Sequence, residues 1–148
     1  MGPFEGSRSA GKRSLREGAD LVLCRQEVKR LCEMLSYSAL ARTMLMTAAS
    51  ELARNAVVHG RGGEFGWEVI REPGRVGLRL TFEDRGPGIA DLRLAMMPSW
   101  TSGKGLGLGL SGAKRLVDEF FIESTLGKGT RVVVIRWRIV PKASCRAG

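Results

Sequence analysis

Cysteine, histidine and aromatic side chains are scarce in this chain. Its 148 residues hold three cysteines, one histidine and one tyrosine, and aromatics make up 6% of the total. Three cysteines without a C-x-x-C spacing form neither a disulfide framework nor a zinc site. Cys24 and Cys32 fall on the apolar stripe of a helix, which points to the core, and Cys145 falls in a tail. No apolar run is long enough to span a membrane. The opening MGPFEGSRSAGKRSLREG lacks the apolar centre of a signal peptide, so the expected location is the cytoplasm. Two familiar phosphate loops are also missing. A P-loop needs G-x-x-x-x-G-K-[ST] after a strand, whereas Gly103-Lys104 is followed by Gly105 and Pro98 to Ser102 do not read as a strand. The dinucleotide fingerprint fails for the same reason.

Acidic residues are outnumbered, and the net charge is +9. Arg8, Lys12, Arg13 and Arg16 crowd one end, and Arg131, Arg136, Arg138, Lys142 and Arg146 the other. No helix-turn-helix pair or basic–aromatic platform accompanies this charge, so nucleic acid is not an expected partner. Solubility, an acidic protein partner or a polyphosphate ligand accounts for it.

Glycine is plentiful where it matters. Asp84 to Leu110 holds Gly86, Gly88, Gly103, Gly105, Gly107 and Gly109, in two clusters around a short helical spacer. A strand ending in Asp-x-Gly-x-Gly makes a tight turn that lets backbone approach a flat ligand. A glycine cluster opening a helix offers free N–H groups to phosphate. Together they describe a nucleotide site.

The chain is long enough for one domain with its own core. Residues 1–18 read as a disordered basic tail with a short extended piece near Ser14 to Arg16, and residues 141–148 as a second tail. Between them, residues 19–140 read as the folded domain. Asp20 caps a helix to Leu35, a second helix runs from Ala39 to His59, and Gly60, Gly62 and Gly63 end it. Glu64–Arg71 and Val76–Glu83 form a hairpin around Glu72-Pro73-Gly74-Arg75. Asp91 caps the spacer, a helix spans Gly109–Phe120, and Phe121–Thr125 pairs with Thr130–Ile139. The order predicts an α+β fold, a two-layer sandwich with helices on one face of a mixed, mostly antiparallel sheet.

Glu51 and Asn55 lie four residues apart, on one face of the second helix. Facing a nucleotide, the amide oxygen can ligate Mg²⁺. The carboxylate can take a proton from a hydroxyl attacking the γ-phosphate.

Glu51-x-x-x-Asn55, Asp84-x-Gly86-x-Gly88, Gly105-x-Gly107-x-Gly109 and Gly127-x-Gly129-Thr130 follow in that order. They resemble the N, G1, G2 and GT boxes of the GHKL ATPases, which include gyrase, Hsp90, histidine kinases and MutL and share the Bergerat fold. SELARN at 50–55, EDRGPGIADLR at 83–93 and GLGLGLSGAKRLVDEF at 105–120 resemble the RsbT-type serine/threonine kinases of bacterial partner-switching (stressosome) systems. The resemblance implies ATP and Mg²⁺ as cofactors. It implies that Asp84 accepts a hydrogen bond from the adenine amino group, with Thr130 supporting the pocket and Gly86 and Gly88 shaping its wall. Asn55 would hold the metal. Lys104, Gly105, Gly107 and Gly109 would contact phosphate, and Glu51 would be the general base. The implied substrate is a serine or threonine of a STAS-domain antagonist, and a downstream phosphatase or other signalling enzyme is the second partner.

The chain departs from that pattern in places. Asn55-Ala-Val-Val-His59-Gly60 is closer to the related anti-sigma-factor kinases. An anti-sigma factor is therefore one alternative, and a nucleotide-dependent binding module without phosphate transfer is another. His59 reads as a helix-end residue, since no dimerisation helices with a phosphoacceptor motif occur. The lid, Met96 to Lys104, is short, and the family's first strand is poorly represented before Asp20.

Overall fold

A computed structural model describes residues 9–98 and 109–141. The elements run β1 (Ala10–Leu15), α1 (Gly18–Met34), α2 (Ala39–Val58), β2 (Gly63–Glu72), β3 (Arg75–Asp84), α3 (Leu92–Ala95), α4 (Gly109–Arg115), β4 (Glu119–Thr125) and β5 (Gly129–Ile139). The strands form one sheet in the order β1-β2-β3-β5-β4, and every pairing in it is antiparallel. The sequence leads one to expect a mixed, mostly antiparallel sheet. The described strands contain no parallel pair: hairpins make the β2–β3 and β4–β5 pairs, and β1 and β5 also run antiparallel to β2 and β3 respectively.

Helix boundaries follow local chemistry. Asp20 does cap α1, but from inside the first turn: its carboxylate accepts from the backbone N–H of Arg16 and Glu17 at 2.8 and 3.1 Å. Those two bonds hold its pKa below the ordinary value. Ser38 caps α2 by accepting from the Ala41 N–H at 3.1 Å. The β2–β3 turn places Gly74 at a φ of +84° behind Pro73, the arrangement of a type II turn.

Strand alternation puts Phe65, Leu78, Leu80, Phe82, Val132 and Val134 on one face of the sheet, where all are buried. They meet Leu45, Leu52 and the small Ala48, Ala49, Ala53 and Ala56 of α2, and α1 packs Val28, Leu31 and the free thiols Cys24 and Cys32 into the same core. Burial pushes both thiols up to about 12, so they remain neutral core residues.

Two expectations need correction. Residues 10–15 are not part of a disordered tail. They form β1 against β2, with Lys12 opposite Gly66 and Leu15 opposite Gly63. Leu15 is fully buried and anchors the strand to the core. The helix expected over 109–120 stops at Arg115. Leu116, Val117 and Phe120 suit either a helical or an extended segment, and the sheet decides: the Asp118 N–H donates to the Ile135 carbonyl and Phe120 pairs with Val134.

Replacing Leu15 tests the first strand. A buried leucine cut to alanine leaves a cavity worth about 2–5 kcal/mol. Leu15→Ala should lower unfolding free energy by that amount in a denaturant titration, whereas the same change in a disordered tail would cost nothing measurable.

Candidate functional site

A cavity of about 480 Å³ opens between the C-terminal half of α2, the turn after β3 and the start of α4. Leu52, Ala56, Phe82, Leu110 and Val132 supply apolar wall, and Asn55, Asp84 and Thr130 supply polar groups. An apolar slot with a few converging polar groups suits a flat heteroaromatic ligand.

Asp84 closes β3. Its neighbours across the sheet are Gly63 on β2 and Thr130 on β5. Its Oδ1 accepts from the Gly86 N–H at 2.9 Å, which folds the chain into the turn. Burial raises the Asp84 pKa above its ordinary value; the N–H groups of Gly86 and Thr130 oppose the rise and the nearby Glu83 adds to it.

The end of α2 is pressed against this carboxylate. A methyl group on Gly60 would overlap the Asp84 carboxyl carbon, and one on Gly86 would lie 2.6 Å from the Gly60 Cα. Two residues without side chains thus let the helix end and the strand end interlock. The Gly60 N–H in turn donates to the Asn55 carbonyl at 3.0 Å, so the same junction continues the turn that carries Asn55.

The turn after Asp84 leans on the β4–β5 hairpin. Pro87 accepts from the Gly127 N–H at 2.9 Å, and the Ile89 N–H donates to the Ser124 hydroxyl at 2.8 Å. Gly88 has a φ of +78°, and a side chain there would overlap the Thr125 carbonyl.

Of the residues singled out by sequence, Asn55, Asp84, Gly88, Gly109 and Thr130 line this one cavity. Gly86 sits behind Asp84, bonded to it. Glu51 lies one helical turn before Asn55, half-buried and beyond the cavity wall. Lys104, Gly105, Gly107 and Trp100 lie outside the described residues. His59 is the exposed C-cap of α2 and borders the cavity, in keeping with a helix-end role. Sequence reasoning missed two residues that shape the site. Gly60 was visible only as a helix terminator. Ser124 carried no signal, since its partner Ile89 is 35 positions away.

Residues 41–140 match the family described as histidine kinase-, DNA gyrase B- and HSP90-like ATPases. The chain belongs to that ATPase family. Among its relatives, the serine/threonine-protein kinase RsbT of Bacillus subtilis is 39% identical over 80% of this chain and 89% of its own. An anti-sigma F factor of Geobacillus kaustophilus is 34% identical over 70% of this chain and 74% of its own. Kinship within the ATPase family therefore lies with the partner-switching kinases. The fold also matches the crystal structure of the RsbU and RsbW domains of a Mycobacterium tuberculosis protein, with a TM-score of 0.59 and 19% identity. That likeness covers 88% of this chain and 33% of the other. Membership of the ATPase family implies ATP binding.

Two variants test the geometry. Asp84→Asn should weaken ATP and ADP alike, by the roughly 1.5–3 kcal/mol of a charge-assisted bond. Its stability should move the other way. A carboxyl whose folded pKa lies above the unfolded value costs stability while ionised, and the cost vanishes as pH falls through the folded pKa. The nucleotide-free variant should melt no lower than wild type at pH 7, with any advantage closing as pH falls toward 3.8, the unperturbed value. Gly60→Ala should displace the Asp84 side chain and reduce nucleotide affinity at least about tenfold, a 1.4 kcal/mol effect. Calorimetric titration of folded variants checks both.

Proposed function

We propose that this protein is a cytoplasmic, Mg²⁺- and ATP-dependent serine/threonine kinase of the RsbT type. Its proposed substrate is a STAS-domain antagonist, and it acts afterwards on a downstream phosphatase or other signalling enzyme. One observation carries the mechanistic reading. Helix α2 meets Asp84 at Gly60, presents Asn55 to the cavity, and carries Glu51 a turn further on. From Glu51 to Val58 the helix rises about 10 Å, and Gly60 lies two residues further on, leaving room for a nucleotide laid along it with adenine at Asp84 and phosphates toward Glu51.

Each residue then has a job. Asp84 accepts from the adenine amino group, with Thr130 beside it on the next strand. Gly86 and Gly88 form the turn against which the base lies. Asn55 offers one hard amide oxygen, which suits Mg²⁺, an ion that takes one or two protein oxygens and completes its shell with phosphates and water. A metal held there would supply positive charge to the phosphate oxygens of ATP, the phosphoryl donor. Gly109 opens α4 beside the cavity and would meet the phosphates, a role proposed also for Lys104, Gly105 and Gly107, which lie outside the described residues. Glu51 removes the proton from the attacking hydroxyl, and its half-buried place outside the base cavity suits an approach by a protein substrate.

The anti-sigma reading has its own support in the Asn55-to-Gly60 motif and in the 34% identity to an anti-sigma F factor. The RsbT reading is preferred on its longer coverage and higher identity.

A single protein sample tests catalysis against binding. Glu51→Ala should bind Mg²⁺–ATP with near-normal affinity yet transfer labelled phosphate to a STAS-domain protein at least about a hundredfold more slowly. It should still capture that protein in a pull-down. Transfer at the wild-type rate would remove Glu51 from the mechanism. A wild-type protein that transfers nothing while nucleotide still governs partner capture would make it a binding module.

A further inference from the structure

One row of residues crosses the sheet at the cavity. Ser124 on β4 stands opposite Thr130 on β5, and Thr130 opposite Asp84 on β3. Residues directly paired across antiparallel strands point to the same face, so all three project toward the helices. Asp84 and Thr130 border the cavity, and Ser124 stands one strand behind them.

We propose that Ser124 is a positioning residue for the adenine end of the site. The inference rests on the nucleotide reading and adds to it a group that does not touch the nucleotide. The Ser124 Oγ lies 2.7 Å from the Thr130 Oγ1 and 3.2 Å from the Gly129 carbonyl, and it accepts from the Ile89 N–H at 2.8 Å. A serine hydroxyl has one proton and two lone pairs. The Ile89 N–H occupies one lone pair, and the Thr130 hydroxyl and Gly129 carbonyl share the remaining capacity. One side chain therefore does two things. It fixes the rotor of the Thr130 hydroxyl, and it ties down the Gly88–Ile89 turn that forms part of the cavity wall.

The surrounding contacts leave this tie few substitutes. Besides it, the turn meets the hairpin through the Pro87 carbonyl bond to the Gly127 N–H and the close approach of Gly88 to the Thr125 carbonyl. Both lie on the Pro87–Gly88 side. Ser124 holds the Ile89 side, where Ile89 borders the cavity and packs against the core. Removing the hydroxyl takes away the Ile89 acceptor and the Thr130 partner while leaving strand pairing untouched, since the ladder is made by backbone.

Calorimetry with ATP and ADP on folded, full-length variants tests this. Ser124→Ala should weaken both nucleotides about five- to tenfold, the effect of one lost hydrogen bond, with the melting temperature of the nucleotide-free protein within a few degrees of wild type. Ser124→Thr, which keeps the hydroxyl, should restore affinity to within about twofold. In a Thr130→Val background the further loss from Ser124→Ala should be smaller than in wild type, because part of the serine's effect runs through Thr130. Undiminished affinity in Ser124→Ala, or an equal loss in Ser124→Thr, overturns the proposal while leaving the nucleotide site standing. A wild-type protein that binds neither ATP nor ADP overturns both.

Discussion

The site depends on one close approach. The last turn of α2 reaches the end of β3 at Gly60, which touches the Asp84 carboxyl group where any side chain would collide with it. That contact sets the distance between the helix that carries Asn55 and Glu51 and the sheet that carries Asp84 and Thr130. Both layers also meet through apolar packing, and that packing fixes the general spacing of helix and sheet. The glycine contact fixes the local one, at the scale of a hydrogen bond to a base. A larger residue would separate the two halves of the site while leaving the core largely intact.

Around that contact the work is divided between elements. Backbone pairing aligns Ser124, Thr130 and Asp84 in a row, so the polar groups inherit the rigidity of three adjacent strands. The helix supplies chemistry at intervals of one turn. Burial then tunes Asp84: desolvation raises its pKa, and backbone N–H groups oppose the rise. A carboxylate kept partly dry and held by its own turn is ready to accept a hydrogen bond without reorganising, at some expense in the stability of the empty protein.

Much of this was legible in the residues, for identifiable reasons. The Glu51–Asn55 spacing reads directly as one helical face. The Asp84 turn is marked by glycines that only a tight backbone path requires. The hairpin at Pro73-Gly74 follows from turn chemistry. Strand β1 was legible only as a short extended piece near Ser14 to Arg16, because AGKRSL presents a single buried apolar residue and edge strands carry charge rather than pattern. The end of α4 was misplaced because Leu116, Val117 and Phe120 satisfy either period, and a tertiary pairing decides between them. The roles of Gly60 and Ser124 in the site escaped notice because their partners are distant in the chain: Asp84 for one, Ile89 for the other.

The central claim is that Asp84 reads the adenine amino group, and a nucleotide differing there alone tests it most directly. Purine riboside triphosphate replaces that amino group with hydrogen and keeps the ring nitrogens, the ribose and the triphosphate. Facing Asp84, the C–H offers no hydrogen-bond donor and leaves the carboxylate without its partner. Calorimetric titration of the wild-type protein should show it binding at least about tenfold more weakly than ATP, as expected for losing a hydrogen bond to a charged group. Equal affinity for the two nucleotides would contradict the placement of the base at Asp84.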